Sequence, residues 1–494
     1  MCGVAGVLGP DNAAVEIFLA LTNLQHRGQD AAGICSFDPQ VEPSLNIAKG
    51  LGLASKAMAP QQLEGLTGQL AIGHTRYATV GKTGDQRNIQ PMVTNFPLPI
   101  AMAHNGNLVN YFSLKEKLET NNGFSALTGS DLELILRVFV DALSDRGLGS
   151  KTAHAKGPKI DFEDLTYAVT QVQKECIGAY AVVGFIGNQG LFAFCDPHGI
   201  RPLCFGIRQE QSSKSYMVAS EDNTLRFLGY QTQISLKPGE LIWVTEGQEV
   251  KKTTINPQPL RACMFEWVYF AGAESSVWDR PVYGARLNLG KALADVIKCS
   301  PESAPIDIVV PVPETSRTAA IALSETLNLP YREALIKNRY IQRSFIINVP
   351  SERSKAVELK LSPVVSEIKN KNILLVDDSI VRGTTLRRII QLLRKAGANR
   401  VYVASTCPPI RYGCYYGIDF PDKSQLVADN RTQEQIKKEL GADEIYYLTT
   451  EGLKSSLGLS DLCTACLDAE YPTDVTDAKR FSEARALQKE KVHK

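Results

Sequence analysis

The chain opens on a short apolar, glycine-bearing run, Cys2 to Leu8, which the pattern predicts as a strand. A helix follows, with Ile17, Leu21 and Leu24 on one face and Gly28 as its stop. Further apolar runs at Leu70–His74, Ile100–His104, Tyr180–Ile186, Leu191–Cys195 and Tyr216–Ala219 predict strands, with a helical stretch from Asp131 to Leu143 among them. Strands in succession with few helices between them point to stacked antiparallel sheets rather than βαβ units. This half closes near Pro238–Gly239, and polar residues lead on to Pro257 and Pro259.

The character of the chain then changes. Ile306–Pro311 and Ile373–Val376 are short, continuously apolar and β-branched, as expected for strands buried on both faces of a parallel sheet. After the second, Leu386, Ile389, Ile390 and Leu393 make one apolar helical face, with Arg387, Arg388, Arg394 and Lys395 on the other. Gly397 is a natural stop and Val401–Ala404 the next strand, giving an α/β unit. The expected organisation is α/β overall, with one unit over residues 2–240, a second over 260–470, and a charged tail or helix over 471–494.

Composition narrows the class. The chain has 494 residues, 44% hydrophobic and 22% charged, with Lys plus Arg 54 against Asp plus Glu 53. So even a balance gives no overall field toward nucleic acid or an anionic membrane. No apolar run has the length of a spanning helix and no signal pattern opens the chain, so a cytoplasmic protein is expected. Eleven cysteines in such a length are too few for a disulfide-built scaffold, and scattered ones such as Cys35 or Cys299 read as small apolar filler. Cys2, Cys463 and Cys466 stand apart by position or spacing.

Removal of Met1, usual where the second residue is small, would leave Cys2 with a free α-amine. An α-amine has a reference pKa of about 7.7–8.0, so part of it is neutral near pH 7 and can take the thiol proton. Nucleophile and base then sit on one residue, and no histidine partner is required. The bland alternative is an ordinary buried strand cysteine.

Four further segments accompany it in order: His26-Arg27-Gly28-Gln29-Asp30, Gly73-His74-Thr75-Arg76-Tyr77-Ala78-Thr79, His104-Asn105-Gly106-Asn107 and Gly129-Ser130-Asp131. With the opening Cys-Gly, this order resembles the class II glutamine amidotransferases. The resemblance covers roughly the first 240 residues. It implies an N-terminal-nucleophile fold, with αββα stacked antiparallel sheets, and glutamine as substrate. It implies that Arg76 grips the glutamine α-carboxylate and Asp131 its α-amine. It also implies that the Asn105 amide and the Gly106 N–H form the oxyanion hole. Bland roles stand beside these: Asn105-Gly106 would suit a hairpin turn and Asp131 a helix N-cap.

In the second half, Asp377-Asp378-Ser379-Ile380-Val381-Arg382-Gly383-Thr384-Thr385 lies between a strand and a helix. A sugar phosphate needs clustered N–H and hydroxyl donors at a helix N-terminus. Ser379, Val381, Arg382, Gly383, Thr384 and Thr385 supply them, and the adjacent carboxylates can hold ribose hydroxyls and Mg²⁺. An acidic turn before a capped helix would explain the parts separately. The string resembles the 5-phosphoribosyl-1-pyrophosphate (PRPP) signature of type I phosphoribosyltransferases.

Both halves on one chain, together with Pro311-Val312-Pro313-Glu314-Thr315-Ser316 and Lys337-Asn338-Arg339-Tyr340, resemble the amidophosphoribosyltransferase family. The resemblance implies the committed step of purine synthesis, in which PRPP, glutamine and water give 5-phosphoribosylamine, glutamate and pyrophosphate. It places Thr315, Asp377 and Asp378 at the Mg²⁺ site, and Lys337 and Tyr340 in a loop closing over PRPP. It implies purine nucleotides as inhibitors, and a homo-oligomer, tetramer or dimer, with no nucleic acid or membrane partner.

Cys463-Thr-Ala-Cys466 is a CxxC pair, for which zinc, redox chemistry and accident compete. One branch of the family holds a four-iron, four-sulfur cluster on four cysteines, and Cys263 and Cys414 stand in matching contexts. The resemblance thus implies one 4Fe-4S cluster per chain on Cys263, Cys414, Cys463 and Cys466, with a Cys₄ zinc site as rival. Two other readings of the whole remain: a non-catalytic PRPP-sensing regulator, and a class II amidotransferase with a different acceptor.

Overall fold

The structure, a computed structural model, describes residues 1–77, 85–148, 159–210, 213–300, 305–338, 361–418, 420, 423–478 and 480, without the side chains of 121 and 122. Among these, two antiparallel sheets face one another in the N-terminal half. The first holds β1 (Gly3–Leu8), β2 (Ala31–Phe37), β3 (Leu45–Leu51), β4 (Leu70–Arg76), β9 (Cys204–Gln209), β10 (Lys214–Ala219) and β11 (Gln231–Ser235). Their order is β11-β9-β10-β1-β4-β2-β3. The second holds β5 (Met92–Thr94), β6 (Ile100–Leu108), β7 (Gly178–Ile186), β8 (Gly190–Cys195), β12 (Glu240–Thr245) and β13 (Val250–Thr254), in the order β13-β12-β8-β7-β6-β5.

Val4, Ile72, Val183, Leu191 and Val218 fill the space between the sheets. Helix α1 (Ala13–Asn23) covers the outer face of the first through Ile17 and Leu21. Helices α2 (Asp131–Asp145) and α3 (Phe162–Glu175) cover the second, where Phe139 stacks on Phe192 at 5.3 Å. These are the expected αββα layers. With both faces of the central strands covered, β1, β4 and β7 read as continuous apolar runs instead of alternating ones.

The second sheet does not stop at Gly239. β12 continues it, and β13 closes it as an edge strand whose residues alternate between exposed and half-buried. Its Val-Lys-Lys-Thr-Thr sequence reads as polar linker because lysines on an edge are a common protection against further strand pairing.

In the C-terminal half β15 (Ile308–Pro311), β16 (Asn372–Asp377), β17 (Arg400–Ser405) and β18 (Glu444–Tyr447) form a parallel sheet in chain order. Val310 pairs with Leu375, which pairs with Val403. Helix α4 (Val282–Lys298) packs on α5 (Arg317–Leu327), and α6 (Thr384–Lys395) buries Leu386, Ile389, Ile390 and Leu393 as its pattern predicts. A short parallel pair, β14 (Ala262–Cys263) with β19 (Leu462–Cys463), joins the start of this half to its end.

The halves share one core in which Met1, Val109, Ala179 and Ile200 pack with Met264 and Trp267. A buried charge network crosses the same boundary. Arg27 Nη2 lies 2.7 Å from Glu266 Oε2, Arg27 Nε meets Glu221, and Arg201 Nη1 lies 3.6 Å from Glu266 Oε1, all with side chains 0% exposed. Removing one member strands the others' charge in a dry interior. Arg27→Met should therefore cost about 3–5 kcal/mol of stability, read from urea unfolding. A cost below about 1 kcal/mol, typical of an exposed ion pair, would show that the network holds nothing.

Candidate active sites

Cys2 precedes β1, and its half-buried thiol accepts from the Tyr77 N–H at 3.4 Å. Burial raises the thiol above its ordinary pKa, against the pull of the nearby N-terminal amine and Arg76. A base is therefore needed to make the thiolate. The Cys2 N–H donates to Asn105 Oδ1 at 3.3 Å, which turns the Asn105 side chain toward the nucleophile. Asn105 Nδ2 is buried without a hydrogen-bond partner. Asn105 and Gly106 lie inside the nine-residue strand β6, not in a turn, so the hairpin alternative does not hold. Gly106 has φ +152°.

Arg76 ends β4 and is 5% exposed, its charge reaching Cys2, Asp30 and Asp131. Asp131 is 3% exposed and is the first residue of α2, the capping position being Ser130. Its Oδ2 accepts from the Leu108 N–H at 3.0 Å and its Oδ1 lies 3.2 Å from His104 Nε2. Burial would raise this carboxyl, but His104 and the N–H donors hold it below its ordinary range. Cys2 before β1, Arg76 at the end of β4, Asn105 and Gly106 within β6, and Asp131 at the start of α2 thus come together around the thiol.

The second constellation stands at the carboxyl ends of the parallel strands, where open α/β sheets bind ligands. Asp377 ends β16, and its Oδ1 accepts from the Asp378 N–H at 3.0 Å. Asp378 Oδ1 takes the Ser379 hydroxyl at 2.9 Å. Burial pushes both carboxyls up, Asp378 to about 6, and the charge of Asp378 raises Asp377 further. Such a pair calls for a cation, so the donor set fits Mg²⁺. Ser379, Val381 and Arg382 form the loop to Gly383, which sits at φ +72° as the N-cap of α6. No side chain caps that helix, so the first N–H groups of Thr384 and Thr385 have no intrahelical acceptor. Thr315 lies in the turn after β15, beside β16. Lys337 ends the strand Leu335–Lys337, exposed, opposite Leu361. Tyr340 lies outside the described residues.

The four cysteines share one neighbourhood. Cys263 and Cys463 are register partners across β14 and β19, and the carbonyl of Cys466 accepts from the Arg411 and Tyr412 N–H groups at 3.0 Å. Cys414 Sγ accepts from the Tyr416 N–H at 3.4 Å. None is in a disulfide, and Cys263, Cys463 and Cys466 are buried. Burial raises these three thiols, Cys263 to about 11, and the neighbouring sulfurs of the quartet raise them further. Buried Arg201 is close enough to favour the thiolates. Among the described residues no group of three or more His, Cys, Asp or Glu side chains is gathered to hold a metal ion.

Two stretches of the chain match known domains: residues 74–226 a glutamine amidotransferase domain, and residues 288–428 a phosphoribosyl transferase domain. The amidophosphoribosyltransferase of Pseudomonas aeruginosa is 39% identical over 494 residues, covering 98% of this chain and 96% of the relative. That of Escherichia coli is 39% identical over 449 residues, covering 90% and 86%. This chain belongs to the amidophosphoribosyltransferase family. Its fold is that of the glutamine PRPP amidotransferase from B. subtilis solved with ADP and GMP, at TM-score 0.82 and 34% identity over 96% of this chain and 98% of that one. Amidophosphoribosyltransferases carry out the committed step of purine synthesis, and both halves needed for it are present here.

Other residues of this amidophosphoribosyltransferase come into view only in three dimensions. His104 braces Asp131. Arg286 is buried, donates to the carbonyls of Trp267 and Ala271 at 2.8 Å, and lends its charge to Asp378. Cys407 is buried beside Cys466 and near Asp378. A lone Cys-Pro-Pro after a strand carries no signal of that neighbourhood.

Proposed function

We propose that glutamine is hydrolysed at Cys2 and that the ammonia goes to C1 of PRPP, with the roles that follow. The observation that carries the glutaminase assignment is the unpartnered, buried Asn105 Nδ2 beside Cys2. A buried donor left unpaired is costly unless a ligand completes it. After Met1 is removed, the Cys2 amine takes the thiol proton and the sulfur attacks the glutamine carboxamide carbon. Asn105 Nδ2 and the Gly106 N–H hold the resulting oxyanion. Collapse expels ammonia with the proton held by the amine, and water, deprotonated by the same amine, releases glutamate from the thioester. Burial, with Arg201 and Arg27 nearby, pushes the Met1 amine down to about 5. The same surroundings, one residue further in, favour an unprotonated base on Cys2. Arg76 takes the α-carboxylate of glutamine and Asp131 its α-amine.

In the second site Asp377, Asp378 and Thr315 would hold Mg²⁺ and the ribose hydroxyls. The loop Ser379 to Gly383 and the N–H groups of Thr384 and Thr385 would take the 5-phosphate. Mg²⁺, when bound, neutralises charge on the leaving pyrophosphate. Lys337 and Tyr340 would belong to a segment that covers PRPP and keeps water from competing with ammonia. The glutaminase unit is read as residues 2 to about 254, with β12 and β13 included, and the transferase unit as 260–470. The tail from 471 rests on the first half through Asp477, which accepts from the Ser113 N–H at 3.0 Å. Glutamine hydrolysis measured with and without PRPP tests the whole. We expect hydrolysis that PRPP stimulates; none under either condition would leave the regulator reading.

For Cys263, Cys414, Cys463 and Cys466 the reading of a 4Fe-4S cluster rests on four free thiols that feel one another's charge, with a buried cation beside them. A cubane takes one thiolate per iron, whereas a single zinc needs all four sulfurs at about 2.3 Å from one point. The cluster would tie residue 263 to residue 466 and constrain the unfolded chain. Anaerobically purified protein should be brown, with iron and acid-labile sulfide near four each per chain. Cys466→Ser should lose iron and lower the unfolding temperature of the whole protein. Stoichiometric zinc without sulfide would decide for the rival. Purine nucleotides are proposed as inhibitors on the strength of the ADP and GMP bound to the B. subtilis relative. A cytoplasmic homo-oligomer, dimer or tetramer, is proposed with them.

A further inference from the structure

The segment Cys414 to Gly417 belongs to the C-terminal half, yet two of its successive carbonyls are bound by side chains of the N-terminal half. Asn107 Nδ2 donates to the Tyr415 carbonyl at 2.9 Å. Arg201 donates to the Tyr416 carbonyl through both Nε, at 3.0 Å, and Nη2. Gly417 follows at φ +101°, and a Cβ there would lie 3.0 Å from the Gly106 carbonyl oxygen and 3.1 Å from its carbon. The Tyr416 N–H on Cys414 Sγ tightens the segment, and on its other side the Tyr416 hydroxyl anchors it to Thr473 at 2.8 Å.

We propose that Cys414–Gly417 is a strut that holds β6 at Gly106 and Asn107, so that Gly417 and Asn107 are positioning residues for the oxyanion donors. The proposal rests on the reading of Asn105 and Gly106 as those donors. Gly106 is wedged between two backbones: its own Cβ would lie 1.9 Å from the Ala179 carbonyl oxygen, and Gly417 presses from the opposite half. A side chain on Gly417, itself strained at φ +101°, crowds the Gly106 carbonyl so closely that the two backbones must part by a few tenths of an ångström. That carbonyl belongs to the Gly106–Asn107 peptide plane, and with Gly106 held against Ala179 on its other side the shift is relayed through the two Gly106 dihedrals to the Asn105–Gly106 plane, which carries the N–H. Donors to an oxyanion act through preorganised direction, so a small rotation lowers turnover more than substrate binding.

The test compares Gly417→Ala, Asn107→Ser and Asn105→Ala in the full chain. The readouts are glutaminase kcat and KM, and ammonia-dependent phosphoribosylamine synthesis. For Gly417→Ala we expect glutaminase kcat to fall about tenfold or more. Glutamine KM should stay within about threefold and the ammonia-dependent rate within about twofold. Asn107→Ser, which frees the Tyr415 carbonyl and adds no bulk, should show the same split more weakly, and it decides the matter if Gly417→Ala does not fold. A parallel fall of both activities, or an unchanged glutaminase kcat, while Asn105→Ala is impaired, overturns the strut. An unimpaired Asn105→Ala overturns the oxyanion reading itself, and the strut with it.

Discussion

Cys2→Ala should abolish glutamine-dependent synthesis while ammonia-dependent synthesis continues at close to the native rate. Without the sulfur there is no acyl-enzyme, and the α-amine has no proton to take, so nucleophile and base lose their function in one substitution. The expected loss of glutaminase kcat is on the order of 10⁴-fold or more, because members of a catalytic unit do not act singly. The ammonia route does not pass through this residue. Ammonium salts at alkaline pH, where free ammonia is plentiful, should still yield phosphoribosylamine from PRPP. Glutamate release and PRPP consumption, followed separately, check both halves. Glutamine hydrolysis by the variant at the native rate would remove Cys2 from the mechanism. Cys2→Ser, with a weaker nucleophile of nearly the same shape, should fall between the two.

The layout of the molecule was legible where both sides of an element are buried. β1, β4 and β7 are unbroken apolar runs, and α6 shows its buried stripe in Leu386, Ile389, Ile390 and Leu393. Elements with one open face were harder to see: β3 and β13 carry Lys and Asn among their strand residues and pass for loops. At Asn105-Gly106 local turn chemistry offers an alternative that the fold does not use. The pair suits a hairpin in isolation, but the glycine is there because neighbouring backbones leave no room for a Cβ. Candidate residues that sit in compact strings, such as Asp377 to Thr385, could be read directly, since one loop carries them all. The Arg27–Glu221–Glu266–Arg201 network and the Cys407 neighbourhood could not. Their members are far apart in the chain, and no local pattern requires a buried arginine at 27 or 201 to have a carboxylate partner.

Replacing Asp377 and Asp378 together by asparagine should remove phosphoribosyl transfer from ammonia as well as from glutamine. Each carboxylate lost from a desolvated, hydrogen-bonded contact can cost on the order of 2–5 kcal/mol of binding, or about 30- to 5,000-fold. The same change should not weaken the fold. Burial raises both carboxyls above their unfolded-state pKa, Asp378 to about 6, and repulsion from Asp378 carries Asp377 higher. A group raised in this way contributes stability that is fully present below its unfolded pKa and is lost as pH rises through the folded one. From about pH 4, through pH 6 for Asp378 and higher for Asp377, the metal-free native protein should therefore lose stability that the double variant keeps. Mg²⁺ should restore stability to the native protein, because it binds the folded state, and should do little for the variant. Thermal unfolding over that pH range, with and without Mg²⁺, separates a lost site from a damaged fold. Full ammonia-dependent activity in the double variant, or an equal gain from Mg²⁺ in both proteins, would move the metal and ribose site elsewhere.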